Sequence, residues 1–347
     1  MLICNNKKCA KAGVQVAEGE VPMRGDQPVC PECDREIITK LCPKCGFEFS
    51  GDSAGSEMLG ISMVGAERCG KSHFLTVLVN SLKQEMAKAY GCALYPLGGD
   101  HTIEQYNRHY YKPLFIDGHT VSSTTQEDVE PLIYSLVFPD GDHFGRTASL
   151  TFYDACGENF MSERNMEENN RNLYNSRGIL FLIDPTQFTV INERRRAKGK
   201  AVSAVDPGTL LARTIHLIRN GAGQADIRTK ISIPIAVCLT KMDIVRPWLD
   251  ASSFLSCQSR HLRQPAFDPI DFESCSMEVM SLIESWSGKE LINQVTSQFS
   301  EYGFFAFSAL GGDPTDAGQV SHVSPHRIMD PLLWILWKNK IIGANKA

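Results

Sequence analysis

The chain has 347 residues, carries 35 Lys and Arg against 40 Asp and Glu for a formal charge of -5, and is 43% apolar. That apolar share supports a packed core and excludes wholesale disorder, and the length fits one large domain or two smaller ones. Mild acidity argues against a broad basic nucleic-acid surface. No apolar run reaches the roughly 18 residues of a membrane span, and Met1-Leu2-Ile3-Cys4-Asn5-Asn6-Lys7-Lys8 lacks the apolar stretch of a secretory signal. A cytoplasmic protein is expected, in which disulfides are the weaker reading of the cysteines.

Six of the 12 cysteines fall before residue 46, as the pairs Cys4/Cys9, Cys30/Cys33 and Cys42/Cys45. Two thiolates separated by two residues can hold one metal through a tight turn, and Zn2+ takes four ligands in a tetrahedron. A zinc ribbon over residues 1–49 is therefore expected. Cys4, Cys9, Cys30 and Cys33 form one ligand set; Cys30, Cys33, Cys42 and Cys45 form the other, and the spacing leaves both open. The remaining six cysteines are scattered and read as inert.

Residues 50–57 read as a polar linker. An α/β pattern follows over residues 58–347. Residues 59–64 predict a short strand and 72–89 a helix, with Phe74, Leu75, Leu78, Leu82 and Met86 on one face. Residues 90–130 read as polar and irregular. Residues 131–138 predict a strand, 139–142 a turn and 148–153 the returning strand. Apolar runs at 179–183, 231–239 and 304–307 predict buried parallel strands. Helices are expected over 210–219, 277–299 and from Asp330-Pro331 onward. Insertions near 90–123, 190–208 and 246–276 enlarge this region.

Gly65-Ala66-Glu67-Arg68-Cys69-Gly70-Lys71-Ser72 is G-x4-G-K-S between a predicted strand and a predicted helix, the setting of a P-loop. Loop N–H groups converge on phosphates, Lys71 reaches the β/γ oxygens, Ser72 ligates Mg2+, and the helix N-terminus, with His73 in its first turn, adds its positive end. Downstream, Asp154-Ala155-Cys156-Gly157 ends the strand 148–153; Asp154 can hold Mg2+ through water and the Gly157 amide can sense a γ-phosphate. Thr240-Lys241-Met242-Asp243 ends the strand 231–239. The Asp243 carboxylate can accept from guanine N1–H and N2–H2, a pair that adenine lacks, and the Lys241 stem can cover the base. Ser308-Ala309-Leu310 ends the next strand, where a backbone amide can meet guanine O6.

These four elements, in this order and each at a strand end, resemble the small-GTPase-like family of P-loop proteins over about residues 58–342. The resemblance implies a mostly parallel sheet flanked by helices, GTP/GDP and Mg2+ binding, slow hydrolysis and loop switching. The cysteine-rich head and the segment 178–185 look like the bacterial double-GTPase group, which implies service in multi-protein, defence-type systems. Protein effectors and a nucleotide-dependent homodimer are the partners so implied. By the same resemblance the switch I threonine precedes residue 131: Thr124 is preferred, with Thr125 and Thr120 as alternatives. Residues 157–172 fit switch II.

The chain departs from the pattern. Thr240 replaces the usual Asn and is expected to support the phosphate loop less well. Glu158 replaces the usual Gln, and Glu67 adds negative charge near the phosphates. Arg68 is either an arginine finger that swings in upon self-association, as in proteins resembling guanylate-binding proteins, or a surface partner of Glu67 or Glu158. Cys69 and Cys156 are places where oxidation would block the site. The basic run at 194–200 reads as a solvated loop or as a contact for nucleic acid, acidic lipid or an acidic partner. Three functions remain: a hydrolysing GTPase switch, a GTP-binding scaffold that barely hydrolyses, and a nucleic-acid-associated GTPase. The charge balance of residues 1–50, neutral overall, favours protein over nucleic acid as the partner.

Overall fold

Apolar runs bounded by turn residues become the strands of a central sheet. The structure, a computed structural model, describes residues 57–97, 100–122, 132–138, 147–153, 176–196, 206–221 and 228–345, with Leu173, Asp226 and short stretches between residues 2 and 49. Seven strands form the sheet: β1 (Glu57–Gly65), β2 (Ala93–Pro96), β3 (Leu132–Val137), β4 (Thr147–Tyr153), β5 (Gly178–Ile183), β6 (Ile235–Leu239) and β7 (Tyr302–Ala306). Their spatial order is β7-β6-β5-β1-β4-β3-β2. The pairs from β4 through β1, β5 and β6 to β7 are parallel; β3 runs antiparallel to both β4 and β2.

The helices are α1 (Lys71–Ser81), α2 (Asp100–Gln105), α3 (Thr189–Arg196), α4 (Pro207–Gly221), α5 (Pro269–Ser285), α6 (Lys289–Gln298) and α7 (Asp330–Lys338). Period-two alternation assigns the two cores. Leu180 and Leu182 of β5 face a cluster with Phe74 and Leu78 of α1 and Trp334 of α7. Ile179, Phe181 and Ile183 face Leu211 of α4, Val279 of α5 and Val295 of α6. Both sheet faces are covered, which is why β5 and β6 are apolar at every position.

The register sets the site. Ile183 of β5 pairs with Leu239 of β6, and Leu239 with Ala306 of β7, while Leu182 pairs with Gly65 at the end of β1. The carboxyl ends of four parallel strands thus finish side by side, where ligands of open α/β sheets bind.

Three elements differ from the sequence reading. Residues 90–97 and 100–122 form regular structure: after β2 and α2, Tyr106–Ile116 winds as a π-helix around Pro113, burying Tyr106, Tyr110 and Leu114. The 231–239 run is a strand only from Ile235, because Pro234 has no N–H to donate, although its carbonyl accepts from Ile179. The 277–299 stretch is two helices. Ser287 at φ 67 closes α5, with Ser287 N donating to Glu284 O at 3.0 Å and Gly288 N to Ile283 O at 2.8 Å, a Schellman stop. Before the sheet, short strands form two small antiparallel sheets, one of them the hairpin of Met23–Arg24 with Gln27–Pro28. Among the described residues no helix is long and apolar enough to cross a membrane.

The 246–276 insertion is latched to α7 by a buried ion network. Arg327 donates to Asp271 at 2.9 and 3.1 Å, to Asp330 at 2.7 Å and to the carbonyls of Cys257 and Phe254. Burial opposes the charge on Asp271, but the Arg327 hydrogen bonds outweigh it and hold the carboxyl below its usual range. His261 adjoins both acids, at 3.7 and 4.0 Å. Its Nδ1 accepts from Asp268 N, so the neutral ring carries its proton on Nε2, toward the acids. That proton, with Arg327 already hydrogen-bonded to both acids, disfavours a metal here. Removing the guanidinium by Arg327→Met leaves two buried carboxylates unpaired and is expected to cost about 3–5 kcal/mol in a urea melt. Because the Asp271 pKa is depressed on folding, its stabilisation is present above about pH 4 and fades as the pH falls through the folded value. A melt series from pH 6 to 2 should show that loss in the wild type and less of it in Asp271→Asn.

Candidate nucleotide-binding site

The loop after β1 is shaped by glycine at two points. Gly70 caps α1 at φ 99, a left-handed conformation. A β-carbon on Gly65 would stand 2.5 Å from Cys69 Sγ and 2.9 Å from the Leu182 carbonyl, so the chain can turn tightly only without one. Arg68 also adopts positive φ, at 61. Lys71, buried at the start of α1, donates to the carbonyls of Gly65 at 2.8 Å and Ala66 at 3.0 Å. Ser72 follows on the first turn of α1, and its carbonyl accepts from Thr76 Oγ1 at 2.6 Å. Loop, ammonium and hydroxyl form a cradle suited to phosphate and Mg2+.

Cys69 lies beneath this loop with no exposed surface, and burial pushes its thiol up. A protonated, inaccessible thiol is a packing group, so the expectation of oxidation at Cys69 is corrected. Glu67 and Arg68 point outward and pair at 3.4 Å. Arg68 is 83% exposed, so this pair adds little stability.

The β6 end meets this loop directly. Thr240 Oγ1 lies 2.8 Å from the Cys69 carbonyl and 3.2 Å from that of Ile183. The threonine side chain, shorter than the usual asparagine, reaches the phosphate loop from a buried position. Lys241, at φ 51, donates to the Arg68 carbonyl at 2.7 Å and to Asp184 Oδ2 at 2.6 Å. Asp243 accepts from Ser308 Oγ, which itself accepts from Gly311 N at 2.9 Å. Met242 N donates to the Phe307 carbonyl at 3.1 Å, tying the β6 and β7 ends together. Ala309 and Leu310 pack partly buried on the core beyond them. A cavity of about 240 Å³ opens beside Asp243 and Ser308, with Met242, Arg246, Gly311 and His326 in its wall.

His73 follows Ser72. Burial, and after it the Lys241 charge, lowers its pKa to about 4. The neutral ring accepts from Val121 N at 3.2 Å through Nε2. Asp184 is the site residue that sequence reasoning missed. It is 4% exposed, caps the turn after β5 by accepting from Thr186 N at 2.8 Å, and gives its second oxygen to Lys241. Its signal was an acid ending a wholly apolar strand. Thr124, Asp154, Gly157 and Glu158 lie outside the described residues, as do Cys4, Cys9, Cys42 and Cys45. Cys30, buried, and Cys33 lie on the turn after the 23–28 hairpin, where Asp34 N donates to the Cys30 carbonyl at 2.9 Å. Arg194, in the basic run, lies over the Trp248 ring at 5.0 Å.

Thr240→Val keeps the shape but removes the hydroxyl from two carbonyls. It is expected to cost about 1–3 kcal/mol in a denaturant melt, whereas Thr240→Ser should lose less.

SaeC of Mycolicibacterium smegmatis, named for ESX-1 scaffolding and assembly, is 24% identical over 339 residues, covering 90% of this chain and 83% of that protein. The GTPase-like domain of S. cerevisiae Ski7, solved with GDP and inorganic phosphate, matches at a TM-score of 0.41 and 14% identity. That match covers 85% of this chain and 52% of the other, so the chain spans about half the length of that structure. A profile of the Double-GTPase 2 family matches residues 59–319, most of the sheet and its helices, and the chain belongs to that family of P-loop GTPases.

Proposed function

We propose that this protein is a GTP-binding and GTP-hydrolysing switch whose cysteine-rich head and switch loops engage protein partners. The observation that carries the reading is the convergence of Lys71, Thr240, Lys241, Asp243 and Ser308 at the ends of β1, β6 and β7. In this reading Gly65 to His73 surround the phosphates, and Lys71 leaves its loop carbonyls to neutralise the β/γ oxygens. Asp243 accepts from the guanine edge, Lys241 covers the base, and the 308–310 turn meets O6. Ser72, Thr124 and Asp154 would hold Mg2+, which supplies charge neutralisation at the phosphates when bound.

Hydrolysis transfers the γ-phosphoryl group to water: a new P–O bond forms, the bond to the β-γ bridging oxygen breaks, and GDP and inorganic phosphate leave. Gly157 and Glu158 position that water, and Arg68, exposed at the loop, swings in as an internal arginine finger upon self-association. The domain plan is a zinc ribbon at 1–49, a linker at 50–57 and the GTPase domain at 58–347. Cys30 and Cys33, on a turn that follows a hairpin, fit half of a zinc site.

A scaffold that binds GTP but hydrolyses little is the second reading. It is supported by a relative named for scaffolding and assembly and by the acidic Glu67 beside the loop. Single-turnover assays separate the two: phosphate release above the uncatalysed background supports the switch, and its absence supports the scaffold.

Mass spectrometry of the purified protein should find guanine nucleotide and zinc; ATP in its place overturns the guanine assignment. Asp243→Asn swaps one acceptor for a donor and is expected to weaken GTP binding at least 100-fold, about 3 kcal/mol by calorimetry. Arg68→Ala should slow hydrolysis only at protein concentrations that permit self-association. A wild-type rate there rejects the finger.

A further inference from the structure

The segment leading toward switch I is held by the loop that follows the base-recognition turn. Thr120 N donates to the Gly318 carbonyl at 2.8 Å, Val320 N donates to the Gly118 carbonyl at 2.7 Å, and His119 and Gln319 face each other between them as an antiparallel bridge. The loop supplying Gln319 leaves the 308–310 turn and comes back to it: Ser324 N donates to the Leu310 carbonyl at 2.8 Å, and Ser308 pairs with His326. Its tip is a tight turn closed by Gly318 N to Thr315 O at 2.8 Å and Gln319 N to Thr315 Oγ1 at 3.0 Å. On the other side, Val121 N reaches His73 at the start of α1. A continuous run of hydrogen bonds therefore joins the base end of the site to its phosphate end.

The approach needs glycine twice. Gly118 and Gly318 have φ 65 and φ 78. A β-carbon on Gly318 would stand 2.9 Å from Thr120 Oγ1, and one on Gly118 would touch the Val320 carbonyl at 3.4 Å. Neither pairing strand belongs to the central sheet, so two backbone hydrogen bonds hold the two segments together without the support of the sheet ladders. Such local pairings open without global unfolding.

We propose that the 118–120/318–320 pairing is a clasp that retains the guanine nucleotide, and that it must open for the nucleotide to leave. The inference rests on the guanine-nucleotide reading of the site. Gly118, Thr120, Gly318 and Val320 act as positioning residues: they hold the base turn and the root of switch I together. A protein that speeds exchange would act on this pairing.

Two variants of opposite sign test it in the full chain loaded with a fluorescent GDP analogue. Gly318→Val places a branched side chain where φ is positive and where Thr120 Oγ1 stands. GDP release is expected to be about tenfold faster, with a melting temperature lowered by no more than a few degrees and unchanged preference for guanine over adenine. His119→Cys with Gln319→Cys works the other way. A non-hydrogen-bonded antiparallel pair has Cα atoms about 4.5 Å apart, within disulfide range. Oxidation should slow release at least tenfold, reductant should restore it, and neither single-cysteine protein should respond. Normal GDP binding with unchanged release from the oxidised double variant overturns the clasp alone, whether or not Gly318→Val folds. Failure of the wild-type chain to bind any guanine nucleotide overturns the functional reading and the clasp together.

Discussion

Thr240 Oγ1 touches the carbonyls of Cys69 and Ile183, so one hydroxyl spans the loops that end three neighbouring parallel strands. Much else at the site depends on that contact. It fixes the phosphate loop against β6, and this places the Lys241 ammonium against the Arg68 carbonyl and Asp184. The left-handed backbone at Lys241 then turns the chain so that Asp243 meets Ser308. A hydroxyl has a single proton to share between two acceptors, and the tight burial of this one supplies what hydrogen-bond number does not.

The charges follow the same geometry. Lys71 and Lys241 both sit against backbone carbonyls of the loop, so the cationic side of the site is built by two strands that are not adjacent, β1 and β6, with β5 between them. Asp184, at the end of β5, lies in that gap and draws Lys241 toward it. His73 stays neutral under the same field, and only as a neutral ring can it accept the Val121 N–H at Nε2. The loop after β1, the turns after β6 and β7, and residues 118–121 are thus parts of one hydrogen-bonded frame, held at the ends of a sheet whose faces are sealed.

Much of this was legible in the sequence because each motif sits at the end of an apolar run. Period and composition identified β1, β3, β4, β5, β6 and β7, and the motif residues follow from them. The misses have physical causes. The π-helix 106–116 buries Tyr106, Tyr110 and Leu114 at intervals of four, but Pro113 within it reads as a helix breaker. The break at Ser287 depends on a backbone conformation that a serine does not announce. Asp184 looked like a strand terminus, since its role comes from a lysine 57 residues away. Arg327 gave no signal at all, because its partners Asp271 and Asp330 lie on two separate helices.

The short strand β2 alters how the molecule can be read from outside. Without it, β3 would be the open edge of the sheet, a ready template for an added strand. Instead residues 134–137 of β3 are paired, and the new edge is only Ala93–Pro96, ending in a residue with no N–H. The chain's own backbone thus leaves only a short template at this edge. At this edge, recognition by a partner falls mainly to side chains, which ties it to surface identity rather than to the generic grammar of the peptide bond; β7 is the other edge of the sheet.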